Sequence, residues 1–145
     1  MLVASALFFA AAVSASPAVK AGDRTHMRLA DRKDDRPYSD AVIVGKTIYL
    51  AGKIGLESTG KPPADGALEA RLVLDRVKAT LEAAGATMND LVSVQVFCSD
   101  LTQYETFNKV YASYFTKGHP ARAFIGSGPL LYGAKFEVQA IAVKP

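Results

Sequence analysis

The chain has 145 residues, of which 50% are hydrophobic, so it can bury a core in one domain and is not a wholly disordered protein. Its 17 Lys and Arg residues against 14 Asp and Glu residues give a net charge of +3, too small an excess to indicate nucleic-acid binding. The single cysteine, Cys98, excludes an intrachain disulfide. Because His26 and His119 have no partner at metal-ligand spacing, no metal site is expected.

Residues 1–22 differ from the rest of the chain. They start with the apolar run MLVASALFFAAAV and continue into small residues typical of a cleavage site. This pattern predicts a signal peptide and an exported protein, periplasmic or secreted, with no membrane association once the signal is removed. No Lys or Arg precedes the run. The alternative is therefore a misplaced start codon, with translation beginning at Met27 and a cytoplasmic protein. Over residues 23–36 the charges alternate in sign, which predicts a solvated linker.

The first strands and the first helix follow this segment. Residues Val42–Val44 and Thr47–Ala51 are predicted as strands joined by a two-residue turn, and a further strand is expected near Met27–Ala30. A helix is predicted from about Ala64 to Ala84, with Gly85 at its C-terminal cap. Its apolar residues recur on one helical face: Ala70, Leu74, Val77, Leu81 and Ala84.

The second half of the chain repeats this pattern. Residues 91–98 are predicted as a strand, with one face formed by Val92, Val94, Val96 and Cys98. Asp100 is expected to cap a second helix, with Gln103 as its reciprocal partner, and Gly118 is expected to end that helix. The helix carries an aromatic stripe that predicts core packing: Tyr104, Phe107, Tyr111 and Tyr114. Two further strands are predicted over Ala121–Ser127 and Ala134–Val143.

This order of elements predicts an α+β fold. Two helices cannot cover both faces of such a sheet, so they are expected to pack on one face. On the last strand, the residues that suit the helices are Phe136, Val138, Ala140 and Ala142. The opposite face mixes polar and apolar side chains, which is typical of a subunit interface lined with polar sites.

Arg122 lies within an apolar run, HPARAFIGSG, that has the character of a buried strand. An arginine is almost never fully buried unless it is paired. Three explanations are open for Arg122: it reaches solvent, it meets an acidic partner in the protein, or it binds an anionic ligand.

Four segments carry a resemblance to a known family: RPYSDAVIVGKTIYLAGKIG, LEAAGATMNDLVSVQVFCSDLTQYETFNKVYASYF, HPARAF and YGAKFEVQAIAV. In their order and spacing they resemble the Rid family of reactive-intermediate deaminases, also called RidA, YjgF or L-PSP. The resemblance spans about Pro37 to Val143, and it defines a domain over residues 37–145. It implies a chorismate-mutase-like α+β fold and a homotrimer with active sites in clefts between subunits.

The resemblance also implies a reaction, the hydrolysis of small 2-imino acids or their enamine tautomers to 2-keto acids and ammonia, with no cofactor. The partner would be a small 2-imino or 2-keto acid rather than a nucleic acid. An alternative is a non-catalytic trimeric protein that binds small carboxylates or a protein partner. A ribonuclease has the least support, because the sequence shows no basic stripe with interleaved aromatic residues.

Two residues would carry the chemistry. Arg122 matches the family arginine that binds the substrate carboxylate, and a guanidinium suits that role because its planar fork matches a carboxylate. The alternative is a structural Arg–Glu pair. Glu137 matches the family glutamate that orients or activates water, and one carboxyl could both take and return a proton. The alternative is a solvated glutamate. The short separation of the two residues predicts that one hairpin lies between them.

Three other residues match family positions near the ligand. Tyr38 matches a tyrosine that lines the cleft. Asn108 matches a helix asparagine near the site, although it could equally be a helix-surface residue. Gly52 matches a glycine whose backbone approaches the ligand, and a glycine here could also simply mark the strand.

Several departures from the family pattern bear on substrate choice. Arg36 replaces a glycine, and Ala51-Gly52-Lys53 replaces a Ser-Gly-Gln segment, which removes a hydroxyl. Lys53 could add positive charge near a carboxylate or could be a surface lysine. Phe124 stands where many members carry a cysteine, and its ring is expected to reshape the substrate pocket. The segment from Phe115 to Arg122 is also shorter than in well-known members.

Overall fold

The computed structural model describes residues 24–145, which form one six-stranded sheet with two helices. The strand order across the sheet is β1-β2-β3-β6-β4-β5. All strand pairs are antiparallel except β4 with β5. The elements are β1 (Arg24–Met27), β2 (Ala41–Val44), β3 (Thr47–Ile54), α1 (Gly66–Ala83), β4 (Leu91–Cys98), α2 (Tyr104–Ala112), β5 (Ala121–Gly126) and β6 (Phe136–Val143). The predicted α+β class is confirmed.

Strand β1 begins earlier than expected and lies inside the segment predicted to be a linker. It pairs with β2 over its whole length, from Arg24 opposite Val44 to Met27 opposite Ala41. The linker prediction is therefore wrong for these residues, because an alternating charge pattern does not prevent a segment from adding an edge strand to a sheet. The predicted signal segment, residues 1–22, lies outside the described residues.

Helix α1 agrees with its predicted pattern. Asp65 is its N-cap, and the Asp65 carboxylate accepts a hydrogen bond of 3.0 Å from the Ala67 N–H. At the other end Gly85 has a φ of +77°, a left-handed conformation that favours glycine. Every residue of the predicted apolar face is buried: Ala70, Leu74, Val77, Leu81 and Ala84. This face contacts β3 and β6.

Helix α2 is shorter than predicted and does not reach Gly118. A single 3-10 turn precedes it. The Asp100 carboxylate caps this turn by accepting a hydrogen bond from the Thr102 N–H. The helix ends at Ala112, where the Ser113 hydroxyl donates to the Val110 carbonyl at 2.7 Å. Phe107 and Tyr111 of the aromatic stripe are buried, as expected, whereas Tyr104 is 41% exposed.

The faces of the sheet follow the sequence pattern with one correction. Phe136, Val138, Ala140 and Ala142 are buried under the helices, as predicted. Val92, predicted to share the buried face of β4, is 46% exposed. The reason is a bulge, because the register between β4 and β6 shifts between Leu91 and Ser93. One extra residue turns Val92 outward.

Strands β5 and β6 do not form the expected hairpin. Both pair with β4, on its two sides, so β4 lies between them. Arg122 is opposite Val94 of β4, which is buried beneath the helices, and Glu137 is opposite Phe97, on the other face. Because side chains alternate along β4, Arg122 and Glu137 lie on opposite faces of the sheet. None of the helices described in residues 24–145 is long and apolar enough to cross a membrane.

Candidate active site

Arg122 lies on the edge strand β5 among uncharged partners. Its Nη2 donates a 2.7 Å hydrogen bond to the side-chain oxygen of Asn108 on α2. Its guanidinium carbon lies 4.6 Å from the ring centre of Tyr111 and 5.6 Å from that of Phe124. Within residues 24–145 no carboxylate forms an ion pair with Arg122. The alternative of a structural Arg–Glu pair is thus not realised in the described part of the chain.

The aromatic side chains around Arg122 are fixed by each other. The ring of Phe124 lies edge-on to Tyr104 at 4.9 Å and to Phe107 at 5.5 Å. Phe107 also packs on Phe136 at 4.9 Å, which connects this wall to the core. Phe124 therefore fixes one side of the surroundings of Arg122, and Asn108 contacts Arg122 directly.

Tyr111 also contacts Arg122, although it is not among the site residues predicted from the sequence. Its ring stacks under the guanidinium of Arg122, and its hydroxyl is buried without a hydrogen-bond partner among the described residues. Burial raises the pKa of Tyr111 to about 12, and the nearby positive charge of Arg122 opposes this rise. The aromatic stripe indicated core packing here, and nothing in it distinguished Tyr111 from its neighbours.

Glu137 lies at a cavity of about 630 Å³ whose lining includes neither Arg122 nor Asn108. Tyr38 and Gly52 line the same cavity. Burial raises the pKa of the Glu137 carboxyl above its ordinary value, which makes its ionised form a stronger base. The structure thus brings together three of the predicted site residues, Tyr38, Gly52 and Glu137.

Gly52 leaves room for the Glu137 carboxylate. A Cβ added at Gly52 would overlap the Glu137 side chain, so the close approach requires glycine. The register between β3 and β6 shifts between Leu50 and Lys53, which places Gly52 in a bulge. The predicted approach of the Gly52 backbone to a ligand stays a prediction, and the structure shows that Gly52 lies close to Glu137.

Tyr38 is held in place by two arginines from the segment before β2. The guanidinium carbons of Arg32 and Arg36 lie 4.5 and 5.4 Å from the centre of its ring. Arg32 also donates to the backbone carbonyls of Tyr38 and Arg36 at 2.8 and 3.0 Å. Since the Arg32 side chain is only 4% exposed, this part of the predicted linker is a packed wall of the cavity.

Lys53 is not a surface lysine. Its side chain is 10% exposed, and its Nζ lies 2.6 Å from a carboxylate oxygen of Asp40. Arg32 contacts the other Asp40 oxygen at 3.2 Å. Burial acts to raise the pKa of Asp40, but hydrogen bonds from Lys53, the Leu29 N–H and Arg32 outweigh it and hold the pKa below its ordinary value.

The predicted site residues therefore form two groups. Arg122, Asn108 and Phe124 lie together on the helix-covered side, and Tyr38, Gly52 and Glu137 lie together at the cavity. One chain does not bring the two groups together, because Arg122 and Glu137 project from opposite faces. In the part of the chain that the structure describes, no group of three or more His, Cys, Asp or Glu residues is placed to hold a metal ion.

Comparison with known proteins identifies the family. The family model described as Endoribonuclease L-PSP matches residues 31–144. The chain belongs to this family. The predicted membership of the Rid, YjgF or L-PSP family is therefore confirmed.

Relatives of this L-PSP family member have assigned activities. A protein of Escherichia coli strain K12 named 2-iminobutanoate/2-iminopropanoate deaminase is 40% identical over 112 residues, 74% of this chain and 88% of that protein. A human protein of the same name is 36% identical over 110 residues, 74% of this chain and 80% of that protein. The structure of E. coli TdcF with bound serine superposes with a TM-score of 0.71 at 35% identity, covering 75% of this chain and 89% of that one. The prediction of a deaminase-type enzyme is confirmed by these relatives.

The buried ion cluster that lines the cavity with Glu137 is not predicted from the sequence. Neither Arg32 nor Asp40 is among the predicted site residues, and the sequence leaves two roles open for Lys53. The one available signal was Lys53 within an otherwise apolar strand, since a buried lysine needs a carboxylate partner. Nothing local in the sequence indicated that this partner is Asp40.

Proposed function

We propose that the chain hydrolyses small 2-imino acids, of the 2-iminopropanoate and 2-iminobutanoate kind, or their enamine tautomers, to 2-keto acids and ammonia. The observation that carries the proposal is the environment of Arg122. Its guanidinium is oriented by Asn108 and two aromatic rings but has no carboxylate partner among the described residues. A substrate carboxylate can fill that place through two parallel hydrogen bonds. The names of the E. coli and human relatives support the same substrate class.

Glu137 supplies the proton transfers in this proposal. The protonated imine is attacked at C2 by water, and the Glu137 carboxylate takes one proton from that water as the C–O bond forms. The C2–N bond then breaks as the Glu137 carboxyl returns that proton to the amine nitrogen, and the new C2 hydroxyl releases its proton to solvent as the C=O bond forms. The products are a 2-keto acid and ammonia, so one water is consumed for each imine. The raised pKa of Glu137 suits both steps, because a carboxyl with a raised pKa binds and releases a proton more readily near neutral pH.

We further propose that each site is assembled between copies of the chain, in a homotrimer. Arg122 and Glu137 lie on opposite faces of one sheet, so both can contact the same substrate only if they come from different copies. The helix-free face has the mixed character of an interface, with partly exposed apolar residues beside Ser93, Gln95 and Gln139: Tyr49, Val92 and Val143.

The proposed function is tested with freshly generated 2-iminopropanoate, whose hydrolysis is followed by competition with semicarbazide. The described domain is compared with Arg122→Ala and Glu137→Gln. Wild-type activity that is lost in both variants supports the proposal. Absence of wild-type activity, with carboxylate binding that still depends on Arg122, supports the alternative of a non-catalytic carboxylate-binding protein instead.

The assembly is tested by mixing the two inactive variants. If each site takes Arg122 from one copy and Glu137 from another, co-refolded chains restore about one quarter of the sites. Each variant refolded alone is the control and stays inactive. Mixed oligomers that form but remain inactive would show that both residues of a site come from one copy.

A further inference from the structure

A chain of five charged groups lines the cavity beside Glu137. It begins at Arg36 near the surface and proceeds inward with charges of alternating sign. The contacts are 2.5 Å from Arg36 to Asp34, 3.0 Å from Asp34 to Arg32, 3.2 Å from Arg32 to Asp40, and 2.6 Å from Asp40 to Lys53. All five residues line the cavity. We refer to Arg36, Asp34, Arg32, Asp40 and Lys53 as the ion chain.

The ion chain carries an excess of positive charge. It contains three cations and two carboxylates, and both of its ends are cations. Hydrogen bonds from the cations hold the pKa of Asp34 and of Asp40 below their ordinary values, so both carboxylates are ionised at neutral pH. Arg76, a further cation lining the cavity, donates to the Leu56 carbonyl rather than to a carboxylate.

The cations at the two ends of the ion chain have N–H donors that bind no other group among the described residues. The Lys53 ammonium has three N–H donors, and in the described part of the chain its hydrogen-bond partner is Asp40 alone. Arg36 likewise gives one terminal nitrogen to Asp34. Because the Lys53 side chain is nine-tenths buried and lines the cavity, its unused donors are available to a ligand bound there. Asp40 compensates the charge of Lys53, and the two N–H donors left over can bind a second anion.

The position of Lys53 indicates that the anion belongs to the substrate. Lys53 directly follows Gly52, whose Cα lies against the Glu137 carboxylate. The group that would activate water and the cation with free donors therefore border the same cavity. Its volume of about 630 Å³ is within the range of pockets that hold ligands much larger than a three-carbon acid.

We propose that this cavity selects 2-imino acids that carry a second carboxylate on the side chain, and that Lys53 and Arg36 bind that carboxylate. The proposal rests on the deaminase function above and specifies its substrate class as 2-imino dicarboxylic acids, such as 2-iminosuccinate. Hydrolysis proceeds as described for 2-iminopropanoate and yields a 2-keto dicarboxylic acid and ammonia. Arg122 binds the carboxylate next to the imine, and the ion chain binds the distal one.

The test compares kcat/KM for 2-iminosuccinate, generated from L-aspartate by an aspartate oxidase, with kcat/KM for 2-iminopropanoate. The wild-type ratio is expected to exceed one. Lys53→Gln lowers the ratio at least tenfold, and Arg36→Gln lowers it less, because Arg36 is half exposed and its attraction is screened. Lys78→Gln removes one charge from an exposed pair on α1 and leaves the ratio unchanged.

Further variants separate charge from folding. Lys53→Arg keeps the positive charge and is expected to keep the ratio within about threefold, and circular dichroism checks that each variant is folded. A wild-type ratio below one, or a ratio that Lys53→Gln does not change, overturns the proposal while the deaminase function stands. Inactivity toward both substrates overturns both.

Inorganic phosphate distinguishes a free anion from a substrate carboxylate. If phosphate inhibits the hydrolysis of both substrates equally, and only when Lys53 is present, the ion chain is a free-anion site and the proposal is wrong. Phosphate that competes with 2-iminosuccinate more strongly than with 2-iminopropanoate supports the substrate carboxylate as the occupant.

Discussion

Arg32 and Arg122 are both partly buried arginines, and their surroundings differ. Arg32 contacts the carboxylates of Asp34 and Asp40 and two backbone carbonyls, so the protein itself uses its charge. Arg122 contacts one neutral amide oxygen and two aromatic rings, so its charge is oriented but not compensated. The first environment is typical of a residue that holds a structure together, and the second is typical of a residue that waits for an anionic ligand.

The largest expected effect concerns neither arginine but Glu137, a carboxylate of the cavity that lies outside both environments. Glu137→Gln keeps the shape of the side chain and removes its ability to take a proton. We expect kcat for 2-iminopropanoate to fall about 10³-fold, the usual contribution of a general acid–base group. Single-turnover and steady-state kinetics measure this change. A loss of less than tenfold would show that water is activated by another group.

Arg122→Ala tests the ligand side of the comparison directly. We expect kcat/KM to fall about 10²-fold, because two charge-assisted hydrogen bonds to the substrate carboxylate are lost. The midpoint of urea unfolding should change little, since the charge has no partner carboxylate among the described residues. Arg122→Lys should recover only part of the activity, because the planar fork is lost. A large loss of stability with unchanged kcat/KM would place Arg122 in the structural class with Arg32.

Asp40→Asn tests the structural side of the comparison. Asp40 is 5% exposed and lies between Arg32 and Lys53, so the substitution leaves two enclosed cations without their shared carboxylate. We expect the free energy of unfolding to fall by about 3 kcal/mol, measured by urea titration. Glu82→Gln, in an exposed pair on α1, is the matched control and should show no measurable change. Equal effects of the two substitutions would mean that the ion chain contributes nothing to folding.

The two arginines also show what the sequence could and could not predict. Arg122 was singled out because it interrupts an apolar strand, and the family resemblance gave it a role. Arg32 lies in a run of charges of alternating sign, which is usually a solvated segment. Its partner Asp40 is eight residues away in sequence, and Lys53 joins them only after β2 and β3 have paired. Burial of charge by distant partners leaves no local pattern.

The same distinction between local and distant causes explains the fold predictions. The buried faces of α1 and β6 were predicted because periodicity depends only on nearby residues. The end of α2 could not be predicted in this way, because it depends on Ser113 and Tyr114. The Tyr114 hydroxyl donates to Asp75 of α1 at 2.7 Å. The outward turn of Val92 depends on a bulge relative to β6. The insertion of β4 between β5 and β6 is a property of topology, and it separates Arg122 from Glu137.

The pH dependence of activity sharpens the role of the cavity. Burial raises the pKa of Glu137, so the carboxylate that takes the proton is lost at a higher pH than an ordinary glutamate would be. We expect kcat to fall tenfold per pH unit below this raised pKa and to level off above it. A pH–rate profile measures this fall of kcat at low pH, and Glu137→Gln should abolish the pH dependence. If kcat begins to fall only at the ordinary pKa of glutamate, the role of burial is contradicted.

The smallest expected effect is on the free energy of unfolding, when the Tyr111 hydroxyl is removed and its ring is kept. The ring lies 4.6 Å from the Arg122 guanidinium, whereas the hydroxyl is buried without a partner among the described residues. Tyr111→Phe keeps the ring and removes a polar group whose burial is uncompensated. The free energy of unfolding should therefore rise by about 1 kcal/mol.

Tyr114→Phe is the matched control, because it removes a hydroxyl that donates to Asp75, and it should lower the free energy of unfolding by a similar amount. If Tyr111→Phe is destabilising instead, the hydroxyl has a partner supplied by ligand or by a second copy, and Tyr111 contributes more than an aromatic face to the surroundings of Arg122.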